Sequence, residues 1–203
     1  MSLLPSLESI YNSPSGPTSD LATTLEILFE HSPILVDVLE KQLNAIIKTS
    51  PLPPTTYSHL IDAALAEIAK WDISAQAEFI SGHPRIGEQS NLSKLSAAEQ
   101  GARGLKPTPP EVLNRLAHLN TCYEAKFPGL RYITFVNGRS RAQVAEEMED
   151  LLGFEHSLSA DTPSSESISP IEAGSTEWRS ELQRAVEDIG KIAKSRLASL
   201  GVH

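Results

Sequence analysis

The sequence predicts an all-α protein: a single-domain helical bundle across residues 1–203, with one short extended segment. Three observations predict it. Apolar residues recur at three- and four-residue spacing through most of the chain, the period of a helix with one buried face. Ser, Asp and Pro stand where helices would start. Only residues 130–136 (LRYITFV) are β-branched and aromatic, and they are too short for a helix between Gly129 and Asn137-Gly138.

Taken in order, residues 1–18 are Ser/Pro-rich after a short apolar start and predict a short helix and a loop. Ser19-Asp20 caps a helix carrying Leu21, Leu25, Leu28 and Phe29. Ser32-Pro33 is a second start, cap then proline, for a helix with Leu35, Val38, Leu39, Leu43, Ile46 and Ile47. Pro51, Pro53 and Pro54 end it. A helix over 56–71 follows, then a shorter one over 74–80. Pro109 and Pro110 open a long helix with Val112, Leu113, Leu116, Leu119, Tyr123 and Phe127 on one face. The extended segment 130–136 has no partner strand in the sequence, so its backbone groups are available to a neighbouring chain or a ligand. Ser140 caps the next helix and Gly153 stops it. Residues 154–174 are rich in Ser, with acids and no helical period, and predict a flexible insertion. The last helix, about 175–200, turns Trp178, Leu182, Ala185, Ile189, Ile192, Ala193, Leu197 and Leu200 inward.

Composition excludes several function classes. The 203 residues suffice for one well-buried core, and 40% hydrophobic with 21% charged residues is a globular balance. Net charge is −9, from 17 basic and 26 acidic residues, with no Lys/Arg-rich run. That argues against nucleic acid and anionic membrane as partners. The single Cys122 rules out an internal disulfide framework and suits a reducing compartment. No signal peptide, spanning apolar run or peroxisomal tripeptide is visible, and the chain ends Gly201-Val202-His203; the expectation is a soluble intracellular protein.

The candidate chemistry centres on Ser81-Gly82-His83-Pro84-Arg85-Ile86-Gly87-Glu88. Proline disfavours helical geometry for the residue before it, so His83 is expected at a helix end, aimed at a cavity. The other histidines and the lone Cys show no ligand spacing, which leaves no metal site and makes His83 an acid/base candidate. Ser96-x-x-Glu99 reads either as a capping box or as a helix N-terminus that seats an anion, with Glu99 and Gln100 as orienter and amide partner. Arg196 falls on the inward stripe of the last helix, where it must snorkel to the surface or meet a buried anion.

Ser81-Gly82-His83-Pro84-Arg85-Ile86-Gly87-Glu88 together with Ser96-x-x-Glu99-Gln100 resembles the 2-oxo-4-hydroxy-4-carboxy-5-ureidoimidazoline (OHCU) decarboxylases of urate breakdown. The segment before Asn137-Gly138-Arg139-Ser140 and the closing helix with Ile192, Arg196 and Leu197 fit the same family. The resemblance spans about Leu21 to Leu200 except the Ser-rich insertion. It implies an all-α, cofactor-free enzyme of purine catabolism, usually a homodimer, acting on a small ureido-imidazoline. Such an enzyme removes the substrate's carboxylate and protonates the carbanion on one face, giving (S)-allantoin. By the resemblance His83 is the general acid and Glu99 orients or polarises it. Pro84, Ser96, Gln100 and the backbone of Leu130, Arg131, Tyr132, Ile133 and Thr134 hold the ring and ureido group, and Arg196 partners the anionic group. Some relatives are peroxisomal, so the expected compartment is cytoplasmic or peroxisomal. Two alternatives remain: a catalytically silent helical scaffold or interaction module of the same fold, and an acid/base enzyme acting on another ureido or imidazolone compound.

Overall fold

The computed structural model describes residues 4–88, 93, 95–97 and 108–202. Among them there are helices, turns and extended backbone but no strand, so the all-α expectation holds. Among the described residues no helix is long and apolar enough to cross a membrane. The chain divides into two compact units: residues 1–83 with 186–203, and residues 84–185.

The first unit starts with α1 (Leu7–Asn12) and α2 (Asp20–Phe29). Ser19 caps α2 as predicted, its Oγ accepting from the Ala22 N–H at 2.9 Å. The same hydroxyl donates to Glu40 at 2.8 Å, and the Ser15 hydroxyl (2.7 Å) and Gly16 N–H (3.2 Å) complete the shell of that fully buried carboxylate. Three donors from one loop satisfy a charge that would otherwise be strongly unfavourable in the interior. After Pro33 the chain forms a π-helical stretch, Leu35–Leu39, in which the Glu40 N–H reaches back to the Leu35 carbonyl. It runs into α3 (Glu40–Thr49), so the single helix expected here carries a local widening. Thr56 caps α4 (Tyr57–Ile68) and Asp72 caps α5 (Ile73–Ser81), through Oδ1 to the Ala75 N–H at 2.9 Å. The core between them is Leu, Ile and Phe, with Leu25, Leu39, Leu60, Ile68 and Ile80 fully buried.

The second unit is built on α6 (Pro110–Lys126) and α7 (Arg141–Leu152). Ser140 and Gln143 form a reciprocal capping box at the head of α7, and Gly153 ends it in left-handed geometry. The final helix, α8 (Thr176–Ser199), contributes its residues up to Ala185 to this unit and those from Val186 to the first.

Charge is buried in this unit as well. Arg115 of α6 and Glu149 of α7, 0% and 1% exposed, pair at 2.7 Å. Arg115 Nη1 also donates to the Ser159 and Thr162 carbonyls at 2.9 and 2.6 Å, while Glu149 accepts from the Ser157 N–H at 3.0 Å. The Ser-rich segment 154–174, expected as a flexible insertion, contains one 3-10 turn (Ser165–Ser167) and meets α6 and α7 at these points. His118 to the Pro163 carbonyl (2.9 Å) and the Ile171 N–H to the Lys126 carbonyl (2.8 Å) add two more. Removing one partner of a desolvated pair strands the other. Arg115→Ala is therefore expected to lower unfolding free energy by about 3–5 kcal/mol, read from urea titration followed by circular dichroism. A loss below about 1 kcal/mol would show the pair to be solvated in solution.

Candidate active site

His83 is positioned by the way α5 ends. Pro84 cannot continue a helix and restricts His83 before it. The last turn tightens instead, with the Gly82 N–H donating to the Phe79 carbonyl and the His83 N–H to the Ile80 carbonyl, both at 3.2 Å. Glycine at 82 is demanded by a neighbour: a Cβ there would stand 2.8 Å from Ser32 Cβ and 3.3 Å from the His31 carbonyl. The loop after α2 thus lies directly against the His83 turn. The imidazole is buried, 3% exposed, with its ring edge-on to Phe79 at 6.3 Å. Phe79 in turn meets Phe29 at 5.9 Å, so the ring is backed by an aromatic stack in the core.

Arg196 resolves the choice posed by its place on an apolar stripe. It does not snorkel; it is 1% exposed and meets a buried anion of the chain itself. Nη2 donates to Glu30 Oε1 at 2.6 Å, and Nη1 donates to the Ile27 and Leu28 carbonyls, both at 3.1 Å. These carbonyls lie at the C-terminal end of α2, where a helix leaves acceptors unsatisfied and carries partial negative charge. Glu30 itself holds φ 64°, ψ 159°, a backbone region that side chains strongly disfavour. Arg196 thus caps α2 and fixes the strained residue that leads into His31 and Ser32.

In the second unit, residues 84–88 are fastened to α6. Arg85 makes a bidentate pair with Glu124 at 2.6 and 2.9 Å, and Asn120 Nδ2 donates to the Ile86 carbonyl at 3.0 Å. Gly87 takes φ +86°, and a Cβ there would stand 3.1 Å from Leu116, so both conformation and space call for glycine. Ser96 is buried but is not the cap the sequence suggested: Ser93 is, its Oγ accepting from the Ser96 N–H at 3.1 Å and its carbonyl from the Ala97 N–H at 2.9 Å. Ser96 therefore sits one turn inside the helix start. Leu130, Tyr132 and Ile133 are buried, with Arg131 and Thr134 half-buried. Part of this segment's backbone is already committed, because Arg184 Nη1 donates to the Ile133 carbonyl at 2.8 Å and Arg139 takes those of Phe135 and Val136. The Arg184 guanidinium also lies over the Tyr132 ring at 5.3 Å. Burial, and then the neighbouring Arg85, depress the Arg131 guanidinium below its ordinary range.

Of the residues singled out from the sequence, His83 and Arg196 fall in the first unit. Pro84, Ser96, Leu130, Arg131, Tyr132, Ile133 and Thr134 fall in the second. Glu99 and Gln100 lie outside the described residues. Sequence reasoning missed Glu30, Asn120 and Arg184 as supports. Among the described residues no group of three His, Cys, Asp or Glu could hold a metal ion.

Comparison with known proteins gives a family match and distant relatives. The model of the family described as OHCU decarboxylase matches residues 14–158. A 2-oxo-4-hydroxy-4-carboxy-5-ureidoimidazoline decarboxylase of Halalkalicoccus jeotgali is 29% identical over 63% of this chain and 59% of its own length. The uric acid degradation bifunctional protein PucL of Bacillus subtilis is 24% identical over 90% of this chain and 31% of its own. Among solved structures, that of an (S)-allantoin synthase superposes with a TM-score of 0.56 at 19% identity, covering 97% of this chain and 54% of the other. A likeness at that identity speaks for the fold. The chain spans less than two thirds of the length of each of these proteins.

The Arg196 arrangement makes a stability prediction. Arg196→Met is expected to destabilise the protein by about 3–5 kcal/mol, since it strands Glu30 and two helix-end carbonyls. Adding Glu30→Gln is expected to recover part of that loss. Additive effects of the two substitutions in a double-mutant cycle would show that the pair is not coupled.

Proposed function

This chain belongs to the OHCU decarboxylase family, and from that premise we propose that it converts OHCU to (S)-allantoin in urate catabolism, without a cofactor and with His83 as general acid. The carrying observation is His83: within the matched span, a buried imidazole held on a tightened helix end. The names of two relatives support the substrate class: one is an OHCU decarboxylase and one a bifunctional protein of uric acid degradation.

Breaking the bond between C4 and its carboxylate releases carbon dioxide and moves the electron pair into the C4–C5 bond, the adjacent C5=N unit taking up the charge. A ring N–H of His83 then forms the new C–H bond at C5 on one face, the C4 hydroxyl gives up its proton to solvent as it becomes the carbonyl of allantoin, and the imidazole regains its own proton from solvent. The protein's tasks are to orient the carboxylate out of the ring plane and to deliver that proton from a fixed direction. A histidine is suited to the second because its unperturbed titration lies in the physiological range. In the first unit Arg196 is assigned to the substrate's anionic group while it also holds Glu30. In the second, Pro84, Ser96 and the Leu130–Thr134 backbone groups other than the committed Ile133 carbonyl are assigned to the ring and ureido group. Glu99 orients the imidazole and Gln100 supplies an amide. The active form is proposed to be a homodimer.

One observation favours the competing reading of a silent scaffold. Arg196 already spends donors on Glu30 and two carbonyls, as a structural arginine would.

His83→Asn separates the two readings. It is expected to lower the rate of OHCU decay by about 10²- to 10⁴-fold towards the uncatalysed rate and to abolish the optical activity of the product, with the thermal midpoint retained. Equal rates and racemic allantoin with and without the wild-type protein would sink the decarboxylase reading.

A further inference from the structure

Ser32 stands next to the His83 turn, just before the helix that begins at Pro33, yet its hydroxyl does not make the cap bond its sequence context assigns. In Ser32-Pro33 it reads as a helix cap, whose hydroxyl would accept a backbone N–H two or three residues on. Instead the Leu35 N–H bonds to the Ser32 carbonyl at 3.2 Å, and the π-helical stretch that follows has no side-chain cap. Ser32 is 3% exposed, and its Oγ has no hydrogen-bond partner among the described residues. Buried hydroxyls are nearly always satisfied, and leaving one unpaired is unfavourable. An alanine would occupy the same space without that penalty, so packing does not explain the hydroxyl.

Its placement does. Ser32 Cβ lies 2.8 Å from where a Cβ on Gly82 would be, one residue before His83. Its preceding neighbour His31 faces solvent and pairs with Glu26 at 2.7 Å, while Ser32 turns inward. The loop's conformation is set from the other side by Glu30, which Arg196 holds in disfavoured backbone geometry. Strain retained next to a functional side chain is the pattern expected where orientation matters.

We propose that Ser32 is a substrate-binding residue of the His83 site, its hydroxyl forming a hydrogen bond with the ureido-imidazoline when it binds. The inference rests on the decarboxylase reading. A hydroxyl both donates and accepts, so it can pair with a ureido N–H or a ring carbonyl. It acts beside the proton donor as a contact that positions the substrate, with no part in proton transfer.

The test is steady-state kinetics of wild type and Ser32→Ala on OHCU, with allantoin binding measured by calorimetry on both. The expected result is a rise of about fivefold to tenfold in KM and in the allantoin dissociation constant, kcat within about twofold, and no drop in thermal midpoint. Ser32→Cys, similar in size with a weaker donor, is expected to fall between them and serves if the alanine variant does not fold. An active wild type with both variants within about twofold of it in KM and allantoin affinity overturns the assignment. So does a loss that follows a lowered thermal midpoint. A wild type that fails to accelerate OHCU decay overturns the decarboxylase reading first, and this inference with it.

Discussion

Arg196 carries a charge into the interior of the first unit, and much of that unit's local order depends on how the charge is met. A guanidinium in an apolar interior is tolerable only where its donors find acceptors. Here they find the spent end of α2 and Glu30. This settles where α2 stops, holds Glu30 in a conformation it would otherwise avoid, and sets the path of His31 and Ser32. Ser32 in turn abuts Gly82, which has room for no side chain. A single buried ion pair is thus linked by consecutive contacts to the turn that presents His83.

The second unit uses the same device. Arg115 and Glu149 bury opposite charges between α6 and α7, and their spare hydrogen-bonding capacity ties down the Ser-rich segment. Residues 84–88 are fastened to α6 by Asn120 and the Arg85–Glu124 pair. In both units the arginine fork does what a lysine could not, because several acceptors in a fixed plane are satisfied at once.

Helix existence and several caps were legible in the sequence because they rest on local signals: Ser19 and Ser140 each precede an apolar period and each accepts the expected backbone N–H. Ser96 was misread by the same rule, since Ser93 performs the capping, whereas Ser32 marked the helix start at Pro33 correctly although its hydroxyl makes no cap bond. A cap signature says that a hydroxyl could accept a bond; tertiary neighbours decide whether it does. The buried pairs were half legible. An arginine on an apolar stripe marked Arg196, and the same signal stands at Arg115 between Val112 and Leu116, but nothing local identifies Glu30 or Glu149 as the partner. Partners more than thirty residues away are set by the fold, beyond the reach of periodicity. The Ile133 carbonyl was expected to be available for the same reason, because Arg184 lies 51 residues further on.

Stereospecific protonation depends on rigidity more than on acid strength. A ring N–H whose direction drifts would protonate both faces of a planar carbanion, and the product would be racemic whatever its titration range. The restraint on His83 is layered accordingly. Pro84 limits its backbone, the tightened end of α5 fixes its peptide, Phe79 bounds its ring, and Ser32 leaves Gly82 no space to shift. Of these layers only the contact of Ser32 with Gly82 joins residues far apart in the chain, and Ser32 is reached in turn from Arg196 through the end of α2 and Glu30. The turn that carries His83 is therefore linked through Ser32 and Glu30 to a charge buried at the end of α2, which is why the interior tolerates an arginine where a leucine would pack.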